Sequence, residues 1–297
     1  KNNNVVGLGA DITASVGMNL FAQKFPNRFF SLGIAEQNCI GVAAGLALAG
    51  KIPVFATYGV FAALRTTDQI RVSLCYNNLH VIIGGAHAGI SVGPDGATHQ
   101  ALEDIAVMRV IPNMTVLSPC DSTQTKISVI KAIEEIKGPV YIRFGRAPVP
   151  DFTDNNQKFI IGKAQIMKNG NDIAIFATGH TVWPAIQASN TLEKQKISTR
   201  VINMHTIKPI DTKTIYKAAK ECKAILTVEE HQVNGGLGSA IAEIIVQKYH
   251  VPLCMIGIPD CWGESGEPDE LMQKFGLTAE NIANKAINLI NQIKNNE

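Results

Sequence analysis

The chain has 297 residues, room for two domains of ordinary size, and its 46% hydrophobic and 18% charged residues are those of a folded globular protein. A formal net charge of +2, spread along the sequence, gives no basis for a nucleic-acid or membrane surface, and no apolar run reaches membrane-spanning length. The six cysteines show no CxxC pair or metal-ligand spacing, which reads as small core hydrophobes in a reducing compartment, most simply the cytoplasm.

In chain order, apolar runs at 5–8, 28–32, 54–58, 80–83, 115–117 and 140–144 predict strands. Periodic segments at 34–49, 62–76, 101–110 and 122–137 predict helices between them. Such alternation implies a mostly parallel sheet with helices on both faces. Residues 151–158 turn polar after two prolines and read as a linker. Beyond it, predicted strands at 172–177, 199–203, 224–228 and 253–257 alternate with helices at 182–194, 212–222, 238–250 and 279–293. The expected fold class is therefore α/β, two open and mostly parallel sheets flanked by helices, with domains at 1–150 and 159–297. No signal peptide is recognised, and the chain begins at Lys1 without a Met, which leaves its natural start open.

Ligands in open parallel sheets bind at the carboxyl ends of the strands, so a site is expected in the loops there. Four carry polar or aromatic groups: 9–15 with Asp11 and Ser15, 33–36 with Glu36, 58–61 with Tyr58 and Phe61, and 87–100 with His87, Asp95 and His99. Glu36 is the sole charge between Arg28 and Lys51, in the first turn of the predicted helix. It is either a partner for that helix's dipole or a proton-transfer group. Bland readings stand beside the others. Each histidine alone could be a satisfied structural residue, Asp95 a turn residue, Tyr58 and Phe61 strand-end packing, and Arg143 with Arg146 a solvated pair. The 235–238 glycine run eases a strand-to-helix connection, and Gly7-Leu8-Gly9 lacks the third glycine of a dinucleotide fingerprint.

Six stretches together resemble one family. GIAEQN (33–38), DQIR (68–71), HAGISVGPDGATHQALEDIA (87–106) and IRFGRAPVP (142–150) resemble the transketolases. In the second half, TVEEHQVNGGLGSA (227–240) and WGESGEPDELMQKFGLTAENI (262–282) are similar to that family's C-terminal domain. The resemblance covers essentially the whole chain.

It implies a pyrimidine-binding domain at 1–150, a C-terminal domain at 159–297, and dependence on thiamine diphosphate with Mg2+ or another divalent ion. The family's GDG-type motif with following Asn ligands, which holds the cofactor's diphosphate and ion, has no counterpart here. The chain therefore resembles the C-terminal subunit of a split transketolase; a fragment of a longer single-chain enzyme is the other reading. The expected partner is an N-terminal subunit carrying that motif, in a heterotetramer with a two-fold axis. The resemblance implies transfer of a two-carbon ketol unit from a ketose phosphate to an aldose phosphate, as in the pentose phosphate pathway. Glu36 matches the acid on the aminopyrimidine nitrogen, Phe61 the ring that stacks on it, and Tyr58, Arg65 and Asp11 further cofactor neighbours. Asp95 and His99 match sugar-binding groups near the reacting atoms, while Ser15, His87 and Arg146 match the cluster holding the distal phosphate. The 1-deoxyxylulose-5-phosphate synthases share Glu36 and Thr98-His99-Gln100, whereas His87 and the 262–268 segment favour transketolase. A regulatory subunit that kept the fold and lost catalysis is the remaining alternative.

Overall fold

The computed structural model describes residues 2–154 and 158–296, so the middle of the expected linker, 155–157, and both terminal residues lie outside it. The first half alternates β1 (Val5–Gly9), α1 (Asn19–Lys24), β2 (Phe29–Ser31), α2 (Glu36–Leu48) and β3 (Ile52–Tyr58). A wound segment then runs from Val60 to Tyr76, with α3 (Thr67–Gln69) at its centre. It is followed by β4 (Ile82–Ala86), α4 (Asp104–Val110), β5 (Thr115–Leu117), α5 (Ser122–Glu135) and β6 (Val140–Arg143). The second half holds β7 (Gln165–Lys168), β8 (Ile173–Ala177), α6 (Val182–Lys194), β9 (Thr199–Asn203) and β10 (Thr206–Lys208). It ends with α7 (Thr212–Glu221), β11 (Ala224–Gln232), α8 (Leu237–Ile245), β12 (Leu253–Ile258), α9 (Pro268–Lys274) and α10 (Ala279–Asn296).

These form two sheets, seven strands in the order β10-β5-β6-β4-β3-β1-β2 and five in the order β12-β11-β8-β9-β7. All pairings are parallel except β10 with β5 and β7 with β9, both at sheet edges. The α/β expectation of two mostly parallel sheets is met. Central strands β4 and β8 are buried along their whole length, which is why they read as continuous apolar runs. The edge strands β7 and β10 carry mixed sequence and gave no such signal. β10 is contributed by the second half yet pairs with β5 of the first sheet, so the two sheets share a covalent edge.

The predicted helix at 62–76 is π-wound over Val60–Arg65 and Ile70–Tyr76, and only α3 between them is α-helical. Where the first π segment ends, Thr66 and Thr67 each donate a hydroxyl, at 2.6 Å, to the carbonyls of Ala62 and Ala63, a back-bonding pattern that loosens helical winding locally.

A buried arginine of the first half, ion-paired within that half, also reaches the backbone of the second. Arg143, at the end of β6, donates Nε to Asp104 Oδ2 at 2.9 Å and Nη2 to the Glu230 carbonyl of β11 at 2.7 Å. Tyr141 donates its hydroxyl to the same Asp104 oxygen at 2.8 Å. With Arg143 only 4% exposed, the reading of Arg143 and Arg146 as a solvated pair fails for Arg143: its donors need buried acceptors, and three backbone or carboxylate groups supply them. The 235–238 run does make a tight strand-to-helix connection. The Glu229 carboxylate caps α8 by accepting from Leu237 N at 2.6 Å and Gly238 N at 2.8 Å, while burial pushes its pKa up to about 7.

Candidate active site

Glu36 opens α2 and is 3% exposed, placed where the first-turn N–H groups favour a carboxylate. Its Oε1 accepts from Arg65 Nη1 at 2.8 Å. The Arg65 guanidinium in turn lies 4.1 Å from the Phe61 ring centroid, a cation–π distance, and the Arg65 carbonyl accepts from Gln37 Nε2 at 3.1 Å. Both Phe61 and Arg65 belong to the π-wound turn, so that winding sets their spacing against Glu36. Beneath the acid, Cys39 is pushed up to about 11 by burial and then by the Glu36 charge, so its thiol stays protonated.

Three further rings cluster beyond Phe61. Tyr58 at the end of β3 stacks on His87 at 4.3 Å and lies 6.0 Å from Phe61. His99 meets Phe61 edge-on at 5.4 Å and Tyr58 at 6.0 Å, with its Nδ1 2.9 Å from Thr98 Oγ1. His87 has a left-handed φ of 51°, and among the described residues its buried Nδ1 has no hydrogen-bond partner. Burial, then the Arg146 charge, lowers its pKa against a smaller opposing pull from Asp95, so the ring is held neutral near pH 7. An unstrained core histidine would not combine an orphaned ring nitrogen with a left-handed backbone.

The 87–99 loop also carries Asp95, which pairs with Arg146 Nη1 at 3.2 Å; the same nitrogen donates to the Val92 carbonyl at 2.9 Å. Gly89, Gly93 and Gly96 all have positive φ, letting the loop fold back on itself. Around it lie groups from the second half: Glu230 Oε1 accepts from Ser91 N at 2.5 Å, and Gln100 Nε2 donates to the Glu264 carbonyl at 2.9 Å.

The structure thus joins Glu36, Arg65, Phe61, Tyr58, His87 and His99 into one continuous cluster, with Asp95 and Arg146 on the loop between the histidines and on the strand exit beside it. Asp11 and Ser15 are both exposed on the β1 loop, and among the described residues no hydrogen bond or ion pair ties them to this cluster. Sequence reading passed over Glu230, Ser91, His180 and Asp104, whose roles depend on contacts between distant segments. The TVEEHQ stretch offered a hint: the predicted strand stops at Val228, whereas the observed one runs on through both acids to Gln232. No group of three or more His, Cys, Asp or Glu close enough to hold a metal ion occurs among the described residues. No helix is long and apolar enough to cross a membrane among those residues.

Comparison with known proteins agrees across the whole length. The transketolase pyrimidine binding domain matches residues 1–151 and the transketolase C-terminal domain matches 162–282. A putative transketolase C-terminal section of Methanocaldococcus jannaschii is 45% identical over 96% of this chain and 90% of its own. A 6-deoxy-6-sulfo-D-fructose transketolase subunit of Clostridium sp. is 41% identical over 96% and 88%. The 1-deoxy-D-xylulose-5-phosphate synthase of Trichormus variabilis is 38% identical over 97% of this chain but only 46% of its own length. Among solved structures, a split gene transketolase described as an inactive beta4 tetramer superposes with a TM-score of 0.90 at 44% identity, covering 98% of this chain and 93% of its own. With two domain matches in tandem and a relative of nearly equal length, the chain belongs to the transketolase family.

Proposed function

We propose that this chain is the C-terminal subunit of a split, thiamine diphosphate-dependent transketolase that moves a two-carbon ketol unit from a ketose phosphate to an aldose phosphate. The observation that carries the reading is the buried Glu36 carboxylate at the head of α2, flanked by the Phe61 ring. The residues fit the cofactor's aminopyrimidine end. Glu36 Oε1 is held by Arg65, and Oε2 has no recorded partner among the described residues, while Phe61 and Tyr58 supply aromatic surface. Family membership implies thiamine diphosphate, which when bound supplies the electron sink for breaking the carbon–carbon bond.

The chain's own residues would then divide the work. Glu36 holds or shares a proton at a ring nitrogen, in a site dry enough for that proton to matter. Arg65 fixes the carboxylate's rotamer through the 2.8 Å bond from Nη1 to Oε1. His99 presents a ring nitrogen toward the reacting oxygens of the substrate, the neutral His87 offers one to its distal phosphate, and Asp95 accepts from a sugar hydroxyl. Arg146, with Ser15, offers charge-assisted donors to the far anionic end of the sugar. Asp11 lies on the same β1 loop and would meet the cofactor only across an interface.

The partner reading rests on three supports. The sequence has no diphosphate-binding motif of its own, and the similar split-gene chain is described as inactive in its homotetramer. The outer face of α2 leaves open space beside Gly41 and Gly45, between exposed Ile34 and Leu48. We therefore read it as a contact surface of a heterotetramer with an N-terminal subunit that holds the diphosphate and the divalent ion. The free cysteines suit a cytoplasmic enzyme. Mixing the chain with the N-terminal subunit, thiamine diphosphate and Mg2+ should give ketol transfer from a ketose phosphate to an aldose phosphate. Supplying pyruvate with glyceraldehyde 3-phosphate separates the synthase reading, favoured by the Trichormus match: carbon dioxide release there, without ketol transfer, would replace the transketolase assignment.

A further inference from the structure

The second half of the chain has no residue in the ring cluster, yet it reaches the loops that carry the proposed phosphate-binding groups at two points. Glu230, on β11 and 2% exposed, aims its carboxylate at the 87–99 loop, where Oε1 accepts from Ser91 N at 2.5 Å. Its Oε2 lies 3.7 Å from Nδ1 of His180, in the turn that follows β8. Two glycines make room for these contacts. A Cβ on Gly89, whose φ is +93°, would overlap the Glu230 carboxyl, and one on Gly145 would overlap the His180 ring. Gly145 precedes Arg146, so Glu230 touches the histidine loop directly and the arginine segment through His180.

The Glu230 backbone is itself fixed, since its carbonyl accepts from the buried Arg143 guanidinium at 2.7 Å. What it holds matters for the site. Ser91 N–H is pinned by Glu230, and the next residue's carbonyl, Val92 O, accepts from Arg146 Nη1 at 2.9 Å, the nitrogen that also pairs with Asp95. Adjacent groups of one loop are thus gripped from opposite sides, by the second half's acid and by the proposed phosphate arginine. Within a loop that contains four left-handed residues, such a grip decides where the arginine's guanidinium comes to rest.

We propose that Glu230 is a positioning residue for binding of the substrate's anionic group, setting through Ser91 and Val92 the placement of Arg146 and Asp95, with His180 backing the arginine segment. The proposal rests on the phosphate role given to Arg146 above, and it gives the C-terminal half a part in substrate recognition.

Two measurements test it. In the isolated chain, hydrogen exchange at the Ser91 amide should speed up about tenfold or more in Glu230→Ala, as expected when a charged acceptor is lost. It should stay near the parent rate in Glu230→Gln, whose amide oxygen still accepts. In the reconstituted holoenzyme with fructose 6-phosphate as donor, Glu230→Ala should raise KM about tenfold with kcat within about threefold, and Glu230→Gln should restore most of the loss. If the Ala variant does not assemble, Glu230→Asp, too short to reach Ser91, takes its place with the same split expected. Unchanged Ser91 exchange, or an equal fall in kcat with KM untouched, overturns the proposal. Arg146→Ala is the control for the reading beneath it. If that variant leaves KM for fructose 6-phosphate unchanged, the phosphate assignment fails; if it raises KM while Glu230→Ala does not, the positioning role alone fails.

Discussion

Two loops at the same end of the first sheet are built in opposite ways. The 87–99 loop after β4 is bound on every side: Glu230, Gln100 and Arg146 hold its backbone, and its Gly93 packs against Gly266 and Pro268. The 10–17 loop after β1 is exposed at Asp11, Ala14, Ser15 and Gly17; apart from a long bond from the Ser31 hydroxyl to the Ala10 carbonyl, its hydrogen bonds are local. The difference separates a loop this chain organises alone from one left exposed. The histidine loop is shaped within one polypeptide by its C-terminal half. The β1 loop leaves Asp11 and Ser15 accessible, where the proposed function would have a partner subunit add to the site.

Breaking the well-held side should have the largest effect on folding. Asp104→Ala leaves the buried Arg143 guanidinium without its carboxylate and Tyr141 without its acceptor, which costs about 3–5 kcal/mol, read as a lower urea midpoint of the isolated chain. Gly89→Ala comes next, at about 1–3 kcal/mol, because it adds a side chain at φ +93° and drives it into Glu230. On the loosely held side, Asp11→Ala and Ser15→Ala should leave unfolding within about 0.5 kcal/mol of the parent while lowering activity of the assembled enzyme. Equal stability losses in both loops would erase the contrast.

Acid sharpens the comparison further. Burial lowers His205, stacked on Phe159, to about 4 from its usual 6.5, and burial holds His231 down to about 4 as well. Between pH 4 and 6.5 the unfolded chain therefore binds more protons at these two histidines, so their contribution to stability is complete above 6.5 and is lost as pH falls. Glu229, raised from 4.5 to about 7, has the opposite sign, favouring the folded state at low pH and losing that contribution as pH rises through 7. Replacing His205 by Gln should remove up to about 1.4 kcal/mol per pH unit from the slope of stability against pH below 6.5. An unaltered slope would show that His205 is protonated in the folded protein.

How much of this was legible in the sequence follows the range of the interactions involved. Runs such as IIGGA in β4 and IAIFA in β8 announce buried strands because both faces are covered, and Glu36 stands out as one charge in a long uncharged stretch. The ring candidates were legible as a group because their loops follow the carboxyl ends of neighbouring strands, whereas the phosphate role of Ser15, His87 and Arg146 came only through family resemblance. The apolar pattern at 62–76 announced a helix but not its π winding at Val60–Arg65 and Ile70–Tyr76, because an amphipathic pattern does not distinguish the two windings over so short a stretch. Arg143 was misread as solvated and Glu230 passed over for a related reason. Each is buried by partners far away in the chain, and a charged residue beside a linker or in a strand carries no mark of that burial.

The central claim is that Glu36 is the working acid of a thiamine site completed by another subunit. Its most direct test is ketol transfer by Glu36→Gln, assembled with the N-terminal subunit, thiamine diphosphate and Mg2+. The account predicts a fall in kcat of at least about a hundredfold with the assembly and the unfolding midpoint intact. Activity within a few-fold of the parent would contradict it and return Glu36 to the role of a helix-end charge.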